Sequence, residues 1–175
     1  MIEIFDDIIS REDQEQIKSC LLGRDFSWYY LSDVTHLKDG QQQRPGFSHY
    51  FVLNEKVNSD WNHLTNDIIK NSCKKVNIDY NKVLETRAFL QLPLHYNITK
   101  GNLIDTPHRD RETEHTVILY YVNTIDGDTI IYENGKEKKR VTPKQGRVII
   151  FNGLLYHTGS QPVNGSRCII NVNIL

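Results

Sequence analysis

The chain has 175 residues, 25% of them charged, and its 21 basic side chains nearly balance 22 acidic ones, for a formal charge of −1. This length favours a single domain whose core needs no disulfide bonds, and the charge balance excludes a polycation that binds nucleic acid or anionic lipid through bulk charge, although a local basic patch is still allowed. No apolar run approaches the roughly 18 residues of a membrane span, and the N-terminus shows no signal-peptide pattern. The three cysteines form no C-x-x-C pair. We therefore expect a cytoplasmic protein with reduced cysteines and no membrane partner.

The first half of the chain predicts two helices. Ser10 is a capping residue that precedes acidic residues and an apolar pattern, which predicts a helix ending before Gly23. Apolar residues at helical spacing predict a second helix over residues 59–76. Residues 2–4 predict a short strand before the first helix.

From Val83 onward the pattern changes to short β-rich runs separated by turn residues. The predicted strands are residues 83–92, 116–123, 129–133, 147–151 and 167–174. This spacing predicts a mainly β (α+β) fold, an antiparallel sandwich or jelly roll buttressed by N-terminal helices. We expect one domain over residues 1–175, in which residues 1–82 support a β core formed by residues 83–175.

Three further segments allow more than one interpretation. The aromatic segments 28–30 and 47–51 are equally consistent with core strands and with the lining of a substrate groove. The basic run 136–140 follows the turn residues Asn134-Gly135, which predicts the solvated tip of a hairpin. A nucleic-acid contact is the alternative for that run.

The single His-x-Asp sequence, His108-Arg109-Asp110, is the first feature that indicates chemistry. Residues two apart on an extended segment point to the same face, so this imidazole and this carboxylate can bind one ion. His157 follows the apolar strand 147–151 across a turn and is a candidate third ligand. Two imidazoles and one carboxylate on one face of a metal leave other positions open, which suits non-haem iron(II). Zinc is the competing metal because it accepts similar ligands in tetrahedral geometry.

Arg167 opens the last predicted strand ten residues after His157. The hairpin signal Asn164-Gly165 lies between them and is expected to bring Arg167 back beside the metal. A guanidinium inside a barrel needs an anionic partner, and its planar fork suits a dicarboxylate cosubstrate. Hydrolysis at a zinc site requires no pairing of an arginine with a dicarboxylate.

Three more side chains are candidates for the predicted site of the metal and the dicarboxylate. Tyr121 lies on the apolar strand 116–123 and could present its hydroxyl to the same anion. Asn171 and Asn173 share strand parity with Arg167, so they can face the cavity, although buried amides that satisfy backbone groups are an equal alternative.

With these residues in place, the sequence resembles the 2-oxoglutarate/iron(II)-dependent oxygenases, particularly the prolyl-4-hydroxylase-like branch, over about residues 84–175. The elements that carry the resemblance are, in order, His108-Arg109-Asp110, the segment 119–123, Asp126-Gly127-Asp128-Thr129, the segment 141–151, His157-Thr158-Gly159 and Arg167. The sequence departs from the family at Gly127-Asp128, where a glycine pair is usual.

The resemblance implies a double-stranded β-helix in which His108, Asp110 and His157 hold iron(II). It also implies that Arg167 anchors the distal carboxylate of 2-oxoglutarate and that Tyr121 assists it. Tyr96 is the nearest candidate for another tyrosine of the family's site, and Asn173 is a further candidate contact.

The activity implied by the resemblance is that of a dioxygenase, which uses O2 and 2-oxoglutarate and releases succinate and carbon dioxide while it hydroxylates a C–H bond. The branch points to a prolyl or other peptidyl substrate, with a small molecule as a further class and ascorbate as a further candidate cofactor. One alternative is a nucleic-acid base demethylase whose basic hairpin contacts phosphates. Another is a non-catalytic β-helix binding module, against which the intact set His108, Asp110, His157 and Arg167 argues.

Overall fold

The computed structural model describes residues 1–34, 43–95, 99 and 101–175. The strands are β1 (Ile2–Phe5), β2 (Tyr29–Leu31), β3 (Gly46–Leu53), β4 (Lys56–Val57), β5 (Val83–Gln91), β6 (Thr116–Tyr121), β7 (Thr129–Glu133), β8 (Lys136–Val141), β9 (Val148–Asn152), β10 (Tyr156–Gly159) and β11 (Arg167–Ile174). The helices are α1 (Arg11–Leu21), α2 (Asn66–Val76) and a 3-10 helix (Asp60–Thr65). None of the helices within these residues is long and apolar enough to cross a membrane.

Two antiparallel sheets form the architecture. The larger sheet has eight strands in the order β1-β9-β6-β11-β5-β3-β2, with β4 paired to β3, and the smaller sheet has the order β10-β7-β8. A hydrophobic cluster joins the two sheets. Its buried members are Val117, Leu119, Tyr121, Ile131, Val141, Ile149, Phe151 and Ile169. The predicted mainly β jelly roll is confirmed.

The opposite face of the large sheet packs against the helices. Alternate residues of β6 and β11, such as Ile118, Tyr120 and Ile170, share a second hydrophobic cluster with Ile17 of α1 and Ile68 of α2. The strict alternation along each strand follows from the two-residue period of β-structure. The helices therefore cover the outer face of the sheet, while its inner face is left for the site.

Residues 1–82 also supply strands. β1 pairs with β9 at one edge of the large sheet, and β3 pairs with β5 towards the other edge, where β2 follows. The aromatic segments 28–30 and 47–51 thus belong largely to β2 and β3. The large sheet is shared between the first 82 residues and the rest of the chain.

The predicted second helix ends at Val76 as expected but begins differently. Its first two turns form the 3-10 helix, and the α-helical part starts at Asn66. The Ser59 hydroxyl accepts a hydrogen bond from the Trp61 N–H, and the Thr65 hydroxyl donates to the Asn62 carbonyl. These local bonds compete with the α-helical pattern of backbone pairing.

The basic run 136–140 is not a hairpin tip. It forms most of β8, which pairs with β7, and the tip is Asn134-Gly135, where both residues have positive φ angles of 52° and 73°. Two of its cations are held in ion pairs, Lys138 with Glu133 and Arg140 with Glu137. The prediction of a tip was wrong because charge runs do not distinguish an exposed strand from a turn.

Asn164-Gly165 does not form a hairpin between His157 and Arg167. β10 lies in the small sheet and β11 in the large one, so the segment between them crosses from one sheet to the other. The Asp126 carboxylate accepts hydrogen bonds from the backbone N–H groups of Val163 and Asn164 and shapes this crossing. Arg167 nevertheless lines the same cavity as His108, Asp110 and His157 because the two sheets face each other.

Candidate active site

His108, Asp110 and His157 come together between the two sheets. The N–H groups of His108 and His157 each donate to the other residue's carbonyl at 2.9 Å, so the two segments form a single antiparallel bridge. The Nε2 atoms of both histidines lie 3.8 Å from Asp110 Oδ1. One nitrogen or oxygen ligand atom from each of the three residues lies within 4.8 Å of the others.

The backbone orients both imidazole rings. Nδ1 of His108 lies 3.1 Å from the Thr106 carbonyl, and Nδ1 of His157 lies 3.4 Å from the Leu155 carbonyl. A carbonyl partner fits the tautomer that carries its proton on Nδ1, because a carbonyl can only accept. In this tautomer each Nε2 carries the lone pair that a metal ligand requires, and both Nε2 atoms lie 3.8 Å from Asp110 Oδ1.

Asp110 has one oxygen that is bound and one that is not. Its Oδ2 accepts a hydrogen bond of 2.9 Å from Asn171 Nδ2, whereas its buried Oδ1 has no hydrogen-bond partner among the described residues. Burial raises the pKa of the Asp110 carboxyl, but the nearby His157, His108 and Arg87 and the hydrogen bond from Asn171 together hold the pKa below its usual value. A buried carboxylate oxygen without a donor, beside two imidazole nitrogens, fits a divalent cation, and this donor set suits iron(II).

Arg167 lies in the same cavity and is 3% exposed. Its Nη1 donates to Gln91 Oε1 and its Nη2 to Thr129 Oγ1, both at 2.7 Å. Its buried Nε has no hydrogen-bond partner, and it forms no ion pair with a carboxylate in the part of the chain that the structure describes. A buried guanidinium without a counter-ion is costly, so this arrangement fits the binding of an anion.

A buried hydrogen-bond network continues behind Arg167. Gln91 Nε2 donates to Asp105 Oδ2 at 3.2 Å, and Gln161 donates to both Asp105 oxygens at 2.8 and 2.9 Å. Arg44 forms an ion pair with the same carboxylate. The Asp105 carboxylate is therefore paired directly with Arg44. It does not form a direct ion pair with Arg167.

The sequence did not point to Gln91 or Asp105 as site residues, and Thr129 was named only within the segment Asp126-Gly127-Asp128-Thr129, without its contact to Arg167. Strand parity could have placed Gln91 on the inner face of β5, but its partner depends on the register that sets Gln91 opposite Arg167. The pairing of Arg44 with Asp105 joins two loops and carries no sequence pattern that we recognise.

Tyr121 lies behind Arg167. Its ring centroid is 5.7 Å from the guanidinium carbon, and its hydroxyl donates to the Val141 carbonyl at 3.2 Å. Val117 and Leu119 share the face of Tyr121, whereas Tyr120 faces the helices. Tyr121 thus faces inward, but it is not among the residues that line the cavity.

The other candidates are placed differently. Asn171 lines the cavity and binds Asp110. Asn173 lies one pleat further along β11, opposite Glu85 and Val117, and is not among the lining residues. Tyr96 lies outside the described residues.

The cavity between these groups has a volume of about 60 Å³. Charged and polar side chains line it together with apolar ones. Its lining includes Arg87, Phe89, Gln91, Leu119, Ile169 and Asn171.

No protein-family model matches the sequence, and no curated protein matches it significantly. The structure is similar to a 2OG-Fe(II) oxygenase-family oxidoreductase from Burkholderia pseudomallei, with a TM-score of 0.76 and 9% identity over 99% of this chain and 84% of that one. The chain has the fold of the 2-oxoglutarate/iron(II) oxygenases.

Two further structures with this oxygenase fold differ in what they do. One is a prolyl hydroxylase from Trichoplax adhaerens in complex with a peptide of the hypoxia inducible factor oxygen degradation domain, with a TM-score of 0.67 and 12% identity over 99% of this chain and 83% of that one. The other is a non-haem α-ketoglutarate-dependent epimerase from nogalamycin biosynthesis, with a TM-score of 0.66 and 9% identity over 99% of this chain and 77% of that one. The oxygenase fold therefore occurs with more than one reaction.

Proposed function

We propose that this protein is an iron(II)- and 2-oxoglutarate-dependent dioxygenase that hydroxylates a C–H bond. One observation carries the proposal: an unpartnered carboxylate oxygen of Asp110 beside two imidazoles, in the same cavity as a buried guanidinium, Arg167, that forms no ion pair with a carboxylate within the described residues. A zinc hydrolase would need the carboxylate and the two imidazoles but not the buried arginine. A domain that only binds a ligand would need neither the metal-binding triad nor the buried arginine.

Four side chains form the proposed metal site. His108, Asp110 and His157 would hold iron through their three converging ligand atoms, and Asn171 keeps the Asp110 carboxylate in place. Bound iron(II) and 2-oxoglutarate supply the oxidising chemistry, in which one atom of O2 enters the substrate, the other enters succinate, and carbon dioxide is released.

The remaining residues of the cavity position the cosubstrate and limit access of water. Arg167 would neutralise the distal carboxylate of 2-oxoglutarate, while Gln91 and Thr129 hold the guanidinium plane in one orientation. Leu119 and Ile169 close the apolar wall. Exclusion of water strengthens each of these charge interactions.

For the substrate we propose a prolyl or other peptidyl side chain, with a small molecule as the second class. The peptide-bound prolyl hydroxylase supports the first, and the epimerase of nogalamycin biosynthesis supports the second. A nucleic-acid base is less well supported, because Lys138 and Arg140 of the basic hairpin are already paired with acidic residues.

The test is a succinate-release assay with iron(II), ascorbate and 2-oxoglutarate across peptide, nucleotide and small-molecule panels. The expected result is succinate formation above the uncoupled background with at least one panel member. Asp110→Ala should lose metal and turnover, whereas His63→Ala, a change at an exposed histidine, should keep both. Stoichiometric iron and full turnover in Asp110→Ala would show that the triad is wrongly assigned.

A further inference from the structure

We infer that Arg87 binds a carboxylate group of the primary substrate; this inference rests on the proposed function. Arg87 lines the cavity from β5, and the antiparallel register sets it directly opposite Asn171, the residue that holds Asp110. Gln91, the partner of Arg167, lies four residues further along β5. That separation corresponds to about 13 Å of extended strand.

The cavity therefore has an arginine at each end. Arg167 marks one end, and Arg87 marks the end nearest Asp110 and Asn171. Phe89 and Ile169, which pair with each other between these positions, form the wall between the two ends. If 2-oxoglutarate occupies the Arg167 end, the Arg87 end is left to the substrate.

The Arg87 guanidinium is held mainly by aromatic groups. It lies 4.2 Å from the centre of the Phe89 ring and 5.3 Å from that of Tyr50, and its Nη1 donates to the Tyr50 hydroxyl at 2.9 Å. These contacts fix its plane without neutralising its charge. A fixed, planar guanidinium is well suited to bidentate recognition of a carboxylate.

The acidic partner of Arg87 is shared. Glu85 lies 3.7 Å from Arg87 Nε through Oε1 and 3.9 Å from Arg111 through Oε2, so one carboxylate serves two guanidinium groups at distances beyond a hydrogen bond. Arg87 Nε is buried and has no hydrogen-bond partner within the described ranges. Arg87 Nε is thus an unsatisfied donor at this end of the cavity, and a carboxylate would satisfy it.

Two sources could provide that carboxylate: a free carboxylic acid, such as an amino acid, or an acidic group of a peptide. Their shared chemistry is a carboxylate placed close to the carbon that is oxidised. A neutral analogue of the same shape would lack the charge that Arg87 recognises, so the amide of each acid is the matched probe.

The first experiment follows the ¹⁵N–¹H resonance of the Arg87 side-chain Nε, assigned by its loss in Arg87→Lys, during titration with propionate or propionamide at constant ionic strength. We expect a saturable shift with propionate and none with propionamide. Arg11→Gln should respond like the unmodified protein, because Arg11 is exposed on α1, which packs on the opposite face of the large sheet. An Arg87 resonance that does not move, or that moves equally with both probes, would overturn the inference.

The titration is run with and without zinc(II) and 2-oxoglutarate. Failure of the metal or of 2-oxoglutarate to bind would contradict the proposed function, whereas failure of Arg87 to respond contradicts this inference alone. The two failures are therefore distinguishable.

A second experiment separates the sources by calorimetry on the zinc(II)- and 2-oxoglutarate-loaded protein. L-Proline is compared with L-prolinamide, and acetyl-prolyl-glutamyl-amide with acetyl-prolyl-glutaminyl-amide. In at least one pair the acid should bind about tenfold more tightly than the amide, and Arg87→Gln should erase the difference. Equal binding in both pairs, or a preference that survives in Arg87→Gln, would rule Arg87 out.

Discussion

Asn171 donates a hydrogen bond of 2.9 Å from Nδ2 to Asp110 Oδ2, and this contact leaves Asp110 Oδ1 facing the two histidine Nε2 atoms. Asn171 is on the central strand β11, so the orientation of a loop carboxylate depends on a side chain of the rigid sheet. The carboxylate that we propose as a metal ligand is thereby oriented by the protein itself.

We predict that Asn171→Ala lowers the affinity for iron(II) or manganese(II) about 10- to 100-fold, because partners that orient a metal ligand contribute on that scale. Anaerobic calorimetric titration measures the change. Val172→Ala is the matched control, since Val172 is the next residue on β11 and packs towards the helices. Equal metal affinity in Asn171→Ala and the unmodified protein would contradict the role given to Asn171.

Arg167→Met should weaken 2-oxoglutarate binding by about 2 to 5 kcal/mol, because the distal carboxylate would be buried without its partner. The measurement is a titration of the metal-loaded, folded variant with 2-oxoglutarate. Arg11→Met removes the same charge from the exposed surface of α1 and should leave the affinity unchanged. A folded Arg167→Met protein that binds 2-oxoglutarate normally would remove Arg167 from the site.

Tyr121→Phe should have a smaller effect on 2-oxoglutarate binding than Arg167→Met. Its hydroxyl donates to the Val141 carbonyl, so the variant should lose about 1 kcal/mol of unfolding free energy by leaving that carbonyl unpaired. Denaturant unfolding and a 2-oxoglutarate titration separate the two effects. A loss of affinity as large as that of Arg167→Met would indicate a direct bond between Tyr121 and the cosubstrate.

The lowered pKa of Asp6 predicts that the stability of the fold depends on pH. Hydrogen bonds from Arg147 and then Lys144 lower the pKa of Asp6 from 3.8 to about 2. Because the pKa is lower in the folded state, the ionised form stabilises the fold above pH 3.8, and this contribution is lost as the pH falls towards 2.

Asp6→Asn should therefore lower the free energy of unfolding by about 1 kcal/mol or less at neutral pH, since solvent screens an ion pair of this exposure. The difference from the unmodified protein should shrink below about pH 4 and nearly vanish by about pH 2. Urea unfolding across this range tests the prediction, with Glu12→Gln on α1 as the control. A difference that stays constant down to pH 2 would disprove the assignment to Asp6.

Local patterns in the sequence were sufficient for part of the fold and for the candidate ligands. The alternation of β6 predicts that Tyr121 and Leu119 share one face and Tyr120 the other, because successive side chains of a strand point to opposite sides. The capping hydroxyl of Ser10 predicts the start of α1 for a similarly local reason. His108 and Asp110 could be proposed together because they are two residues apart.

The tertiary structure decided which of these groups meet and what holds them. The pairing of Gln91 with Arg167 depends on the register between strands that are 76 residues apart, and the ion pair of Arg44 with Asp105 joins loops 61 residues apart. Such contacts follow from the packing of two sheets and leave no periodic or spacing signal along the chain. Local sequence patterns thus specified the candidate site residues of this protein, whereas sheet register and sheet packing specified the partners of those residues.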